Sequence, residues 1–278
     1  PSDIVSMFPE IMNVANVKSW LVANMFSGDM RFGHYNQLAR EIEKELRSGS
    51  DGVIVSHGTD TLAFTSCALA FALDGLNKPV VLVGAQRSSD RPSSDAAINL
   101  LCGINFIAKT DFGGVAICMH SRSGDESCEV LPACRAKKLH TSRRDAFKAV
   151  NGNPIARVTK EGNVELFQTF GKSAARETKL RLFRENTKIG ILKAHPNLFS
   201  EEVRAFSKFD GLIIEGTGLG HISIDVIDKY TKENGNVYNE IKKLARKMPV
   251  IMVSQCIFGR VNMNIYNYGR KLQEIGVI

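Results

Sequence analysis

Asp51-Gly52-Val53-Ile54-Val55-Ser56-His57-Gly58-Thr59-Asp60-Thr61 opens as a short apolar strand and closes in a glycine turn crowded with hydroxyls and a carboxylate. The apolar stretch 61–73 that follows is long enough for a helix, and 79–84 reads as the next strand. Strand, loop, helix, strand is the repeating unit of a parallel sheet. Such strands are covered on both faces, so they read as continuous apolar runs rather than as alternation. Working outward, further strand-like runs lie at 113–119, 189–193, 211–215 and 249–254, and helix-like segments at 94–109, 200–209 and 238–246. Upstream, 35–47 carries the 3.6-residue rhythm through Leu38, Ile42 and Leu46. The expected fold class is α/β, with a larger parallel-sheet domain and a smaller α/β domain.

The rhythm breaks once. Residues 154–158 and 164–167 flank Glu161-Gly162-Asn163 and read as a hairpin around a glycine-containing turn. The polar, basic stretch 168–187 that follows has no apolar period. The expected organisation is therefore a larger domain over 1–167, a basic linker over 168–187 and a smaller domain over 188–278.

Composition narrows the function classes. With 278 residues, 44% of them hydrophobic, the chain can bury one large core or two smaller ones. The longest apolar runs, such as 69–73 and 80–83, are too short to span a bilayer, so a membrane role is not expected. No charged-then-apolar leader follows Pro1, and a cytoplasmic protein is expected. The six cysteines, at 67, 102, 118, 128, 134 and 256, form no C-x-x-C pair, which gives a zinc or iron-sulfur site little support. Cys67, Cys102 and Cys118 sit in apolar runs and read as small buried hydrophobes. Cys128 and Cys134 could bridge across a loop, but reduced thiols are the expected state. The six histidines are scattered and suggest no metal site. Of a net charge of +7, the segment 135–188 holds a disproportionate share, with fourteen Lys or Arg against five Asp or Glu. It reads equally as a surface for a polyanion or as a solvated face.

In open α/β sheets ligands bind beyond the carboxyl ends of the strands. Four loops there are chemically rich. In 56–61, a hydroxyl and a carboxylate meet a tight turn at a helix start; simple N-capping needs only one such residue, not a Gly-Thr-Asp-Thr run. The loop 84–95 is too long and polar for a connector, although Ser94 and Asp95 suit a helix cap. The segment 135–145 concentrates cations near hydroxyls, and by spacing alone neither Lys137 nor Lys138 stands out. Gly216-Thr217-Gly218-Leu219-Gly220-His221 has the outline of a dinucleotide fingerprint, but His221 stands where that motif needs Gly or Ala. No serine nucleophile elbow and no phosphate-binding P-loop occurs in the sequence.

Taken together, these loops resemble a known family. Residues 51–61 look like the second active-site motif of the bacterial-type L-asparaginase superfamily, and Ser27-Gly28-Asp29-Met30 resembles its substrate loop. Within it, 83–97 and 137–147 are similar to the D subunit of archaeal glutamyl-tRNA(Gln) amidotransferases, and 215–221 with 254–262 continue the likeness. The resemblance implies a glutaminase subunit in which Thr59 is the second active-site threonine, Asp60 its neighbour and Lys138 its activator. Ser27, Gly58 and Asp60 would hold the substrate. A hydroxyl is a weak nucleophile until a base takes its proton, and a lysine can do so only as the free amine, a form that desolvation favours.

It also implies no metal or cofactor in this subunit, ATP and Mg in an E-type partner subunit, glutamine as amide donor, Glu-tRNA(Gln) as acceptor, and a homodimer within a heterotetramer. The family's first nucleophilic threonine, its small N-terminal β-barrel and its usual C-terminus are not matched, and no Gly-Gly-Thr occurs. A fragment, a split polypeptide and a decayed paralogue are the three readings of that mismatch, with a fragment expected. The alternative functions are a free L-asparaginase or a catalytically silent scaffold that binds tRNA or the partner.

Overall fold

A computed structural model describes residues 9–87, 93–170 and 178–278. The chain divides into two compact units, Pro1–Glu185 and Asn186–Ile278.

In the first unit, helix α1 (Phe32–Arg47) precedes strand β1 (Val53–Ser56), helix α2 (Leu62–Ala72) with the short strand β2 (Leu73–Asp74), strand β3 (Pro79–Val83), helix α3 (Ala96–Lys109) and strand β4 (Gly114–His120). Strands β1, β3 and β4 are parallel neighbours, in register Val53–Val80 and Val80–Val115. Each is short and apolar because helices pack on both sides: every residue of β3 is buried. Fully buried Leu62, Leu69 and Ala72 of α2 pack with Leu82 and Ile117 on one face, while Cys102 and Phe106 of α3 pack with Val81 and Ala116 on the other. Truncating a residue such as Leu69 to alanine costs about 2–5 kcal/mol. Helix α1 adds Ala39 and Ile42 to the α2 face, with Leu38 and Leu46 half-buried beside them, as its periodicity predicts.

The sheet is not wholly parallel. It continues with antiparallel β5 (Ser127–Pro132), β8 (Ala156–Thr159) and β9 (Val164–Leu166), in the order β1-β3-β4-β5-β8-β9. The last two are the expected hairpin, turning at Gly162 with φ of +83°. β5 was not legible as a strand because Ser127 and Glu129 interrupt its apolar run. A separate two-stranded ribbon, β6 (Ala136–Lys138) and β7 (Phe147–Ala149), follows β5 and is held by fully buried Phe147.

Part of the expected linker 168–187 belongs to the first unit. Strand β10 (Lys179–Leu180) pairs antiparallel with β2, and Leu180 and Phe183 pack on the α2 core. Asn36 of α1 donates to Phe183 O and accepts from its N–H at 2.9 and 2.8 Å. Residues 171–177 lie outside the described residues.

The second unit is a three-stranded parallel sheet, β11 (Ile189–Lys193), β12 (Gly211–Gly216) and β13 (Val250–Ser254), with helices α4 (Ser200–Arg204), α5 (Lys232–Ala245) and α6 (Asn267–Glu274). Val203, Val237 and Ile241 pack against Leu212, Ile214 and Val250 to form its core. α4 is shorter than its apolar pattern suggested, and α5 begins six residues earlier, its first turn carrying Glu233 on the N–H of Ser200 at 2.9 Å. No helix among the described residues is long and apolar enough to cross a membrane.

Candidate active site

The loop leaving β1 does not cap the following helix with a side chain. Thr61 occupies the capping position of α2, yet its hydroxyl donates to Ser27 O at 2.6 Å. Two glycines let the loop sit this low. A Cβ on Gly84, at the end of β3, would lie 2.8 Å from His57 O and 3.0 Å from Thr59 Cγ2. A Cβ on Gly58 would lie 2.8 Å from both Cβ and Oγ of Ser27. Ser27, buried in the short 3-10 turn Ser27–Asp29, is therefore pressed onto Gly58 and tied to Thr61. The two segments likened to substrate-binding elements adjoin one another.

His57 stiffens the turn. Its N–H continues the ladder to Val83 O at 2.9 Å, its Nδ1 donates to Gly58 O at 2.7 Å, and Thr65 Oγ1 lies 2.9 Å from Nε2. Burial holds the imidazole below its ordinary pKa, with the Gly58 contact opposing. Nδ1 as the donor fixes the neutral tautomer, in which Nε2 accepts from Thr65.

Lys138 reaches this loop from the other ribbon. Its Nζ donates to Thr59 Oγ1 at 2.9 Å and to Asp60 Oδ1 at 2.8 Å, across 79 and 78 residues of chain. The lysine side chain is 17% exposed and that of Asp60 63%. Strand alternation decides which lysine enters, since successive side chains of β6 point to opposite faces. Lys137 is exposed, while Ala136 and Lys138 share the covered face. Thr59, Asp60 and Lys138 are thus brought together, with Ser27 and Gly58 beside them on the same loop.

A buried polar chain supports the next loop. Asp95, fully buried, accepts the N–H groups of Gln86 and Arg87 at 3.1 and 2.9 Å. Asn99 donates to Gly84 O at 2.8 Å, and its Oδ1 lies 2.6 Å from His120 Nδ1. His120 reaches Asp125 at 3.2 Å, and Arg144 meets the same Asp125 oxygen at 2.6 Å. Sequence reasoning gave Asp95 only a capping role and left Asn99, His120 and Asp125 unremarked. A polar residue repeated on an otherwise apolar helix, Asp95 and Asn99 four apart, was the available signal. Residues 88–92 of this loop lie outside the described residues.

Among the described residues no three His, Cys, Asp or Glu side chains converge as a metal-ion site. All six cysteines are free. Cys128 is fully buried on β5, and the sulfur facing Cys134 is that of Cys67, not Cys128.

This architecture and site define the class. The chain belongs to the asparaginase/glutaminase family: residues 1–170 match "Asparaginase, N-terminal" and residues 188–278 match "Glutaminase/Asparaginase C-terminal domain". Within that class it is similar to the D subunit of the glutamyl-tRNA(Gln) amidotransferase of Pyrococcus abyssi, at 43% identity over 99% of this chain and 61% of that protein. The corresponding protein of Sulfolobus acidocaldarius is 40% identical over 100% of this chain and 60% of its own length. The chain thus spans about three fifths of the curated relatives it matches. Among solved structures, the thermostable L-asparaginase of Thermococcus kodakarensis superposes with a TM-score of 0.81 at 27% identity, covering 100% of this chain and 79% of that one.

Proposed function

We propose that this chain carries the ammonia-releasing, glutaminase chemistry of a glutamyl-tRNA(Gln) amidotransferase. The observation that carries the reading is Lys138 Nζ within hydrogen-bond reach of both Thr59 Oγ1 and Asp60 Oδ1. A general base must lie that close to the proton it takes. With Lys138 as the free amine, the 2.9 Å contact reverses, and the Thr59 hydroxyl donates its proton to nitrogen and gains nucleophilic character. Asp60 orients the amine through Oδ1 while its exposed carboxylate faces the substrate's ammonium group. Ser27, on the adjoining turn, is placed to contact the amino-acid end of glutamine. Hydrolysis of the side-chain amide then yields glutamate and ammonia.

The relatives' name supports the rest of the reading. Ammonia passes to an E-type partner subunit that uses ATP and Mg to activate the glutamate on Glu-tRNA(Gln), while this subunit needs no cofactor of its own. Of the cations expected to serve that assembly, Lys179, Arg181 and Arg184 are exposed. Arg181 is engaged by Asp74 at 2.7 Å, and Arg157 lies between Glu129 and Glu165 and over the Phe167 ring. Lys172 and Arg176 lie outside the described residues. Lys179 and Arg184 are therefore the cleaner probes.

The test uses the full-length polypeptide with its partner subunit, measuring ammonia release from glutamine and from asparagine with and without Glu-tRNA(Gln). Glutamine preference and stimulation by the charged tRNA are expected. Asparagine preference with no response to tRNA would overturn the reading in favour of a free L-asparaginase. Replacing Lys179 and Arg184 by alanine should lower the salt slope of tRNA binding by about one unit for each phosphate that is no longer neutralised.

A further inference from the structure

Cys67 and Cys134 come from segments 67 residues apart, yet their sulfurs stand 3.7 Å from each other. Cys67 lies half-buried on α2, the helix that begins immediately after Asp60. Cys134 is exposed, in the turn between β5 and β6, four residues before Lys138. The two segments are held together by their neighbours: fully buried Ser66 donates its hydroxyl to Ala133 O at 3.1 Å, one residue before each cysteine. Two polar contacts at Lys138 tie the same helix start to the same ribbon. The thiols are thus fixed neighbours rather than groups meeting by chance on mobile loops.

We propose that Cys67 and Cys134 form a reversible oxidation site, a dithiol that closes to a disulfide stapling α2 to the turn that leads into the Lys138 strand. The inference rests on side-chain geometry and is independent of the proposed substrate. Closure to a bond of about 2.05 Å needs the sulfurs to move together by less than 2 Å, a shift within the reach of two side-chain rotations and a surface turn. The exposure of the two thiols orders the steps. Burial, then the neighbouring Cys134 sulfur, push the Cys67 thiol up to about 11, so Cys134 is the group that meets an oxidant first. With a small disulfide such as oxidised glutathione, the Cys134 thiolate attacks one sulfur, forming a mixed disulfide and expelling one glutathione thiolate. Cys67, its proton lost to solvent, then attacks Cys134 Sγ and expels the second. Two protein thiols are oxidised, one small disulfide is reduced to two thiols, and two protons are released in all, taken up by the glutathione thiolates at neutral pH. Once Cys134 is in the mixed disulfide, its negative charge no longer opposes ionisation of Cys67, which favours the second step over the first.

The experiment treats the chain, in a Cys256→Ser background that removes the exposed Cys256, with a graded ratio of oxidised to reduced glutathione, followed by acid quenching, alkylation and peptide mapping. The expected result is a crosslinked peptide joining Cys67 to Cys134, reversed by dithiothreitol, with little glutathione adduct at equilibrium. With Cys67→Ser added, the adduct on Cys134 should rise at least ten-fold at the same ratio. A wild-type pair that stops at glutathionylated Cys134 while Cys67 remains alkylatable overturns the proposal, as does crosslinking of Cys134 to a different cysteine. The wild-type map decides the matter even where the serine variant folds poorly.

Discussion

Two loops occupy equivalent places, one at the carboxyl end of β1 in the first unit and one at the carboxyl end of β12 in the second. They have used that place differently. The β1 loop offers Thr59 and Asp60 outward to an amine arriving from another segment. The β12 loop closes on itself. Thr217 and His221 form an antiparallel bridge, exchanging backbone hydrogen bonds of 2.8 and 3.0 Å around Gly218 and Gly220 at positive φ. Even the Thr217 hydroxyl goes to His221 O, and the His221 ring packs edge-on to Tyr266. Both loops are braced from below by an amide side chain, Asn99 on Gly84 O and Gln255 on Glu215 O, each at 2.8 Å. The support is alike; the chemistry is not. The carboxyl edge of a sheet is a permissive address, and it becomes a candidate site only where a third segment brings a complementary charge.

The largest effect should come from breaking that third contribution. Lys138→Met keeps the aliphatic stem and removes the amine, and glutamine hydrolysis by the full-length protein should fall by roughly a thousand-fold or more in kcat/KM. Thr59→Val should fall by a similar order, and the double variant scarcely further, since groups acting as a unit are not additive. Thr217→Val in the second loop should change the rate by less than about two-fold. Steady-state ammonia release checks all four. Comparable losses from Thr217→Val and Lys138→Met would erase the distinction between the loops.

How far this contrast was readable in advance follows from particular residues. The parallel strands β1, β3 and β4 were legible because being covered on both faces makes 53–56, 79–83 and 114–120 continuously apolar. The antiparallel half of the sheet was harder, since one of its strands, β5, mixes Ser127 and Glu129 with its apolar residues. The choice of Lys138 over Lys137 came from family likeness. Its physical cause, the two-residue period of a ribbon pinned by Phe147, needs the β6–β7 pairing, which no local pattern announces. The linker reading failed over 179–185 because Leu180 and Phe183 are too few to show a period, although they find a place on the α2 core. His221 was correctly set apart from a dinucleotide motif: a Cβ on Gly216 would meet its backbone at 2.8 Å, a packing reason for that glycine.

A smaller effect should separate the two braces. Asn99 is fully buried, and beyond Gly84 it contacts Asp95, His120 and Cys128. Asn99→Ala strands buried partners that have no water to turn to, and should cost about 2–4 kcal/mol of stability. Gln255 is only half-buried, and Gln255→Ala should cost about 1 kcal/mol. Denaturant midpoints at constant slope measure both. Equal costs would mean that the first loop owes no more to its buried polar chain than the second owes to a single amide.

The smallest effect concerns pH and belongs to His57. Burial, its largest influence, lowers the pKa of this imidazole in the folded chain, whereas in the unfolded chain it titrates near 6.5. A depressed folded value means that the unfolded state takes up a proton first as pH falls. The contribution of His57 to stability is then fully present above about pH 6.5 and is lost as pH falls through its lower folded value. The local cause is specific. Protonation puts a hydrogen on Nε2, which in the neutral ring accepts from Thr65, and the Thr65 hydroxyl must rotate away while it also serves Tyr35. His57→Asn keeps a donor near Gly58 O but cannot titrate. Its unfolding free energy should therefore fall less steeply than the wild type below pH 6.5, with the two curves parallel above it. Matched denaturant melts between pH 5 and 8 read this directly. If wild type and His57→Asn stay parallel through the acid arm, the imidazole is not held neutral by burial. The stiffness of the Gly58–Thr59 turn would then have to come from the Ser27 and Gly84 contacts alone.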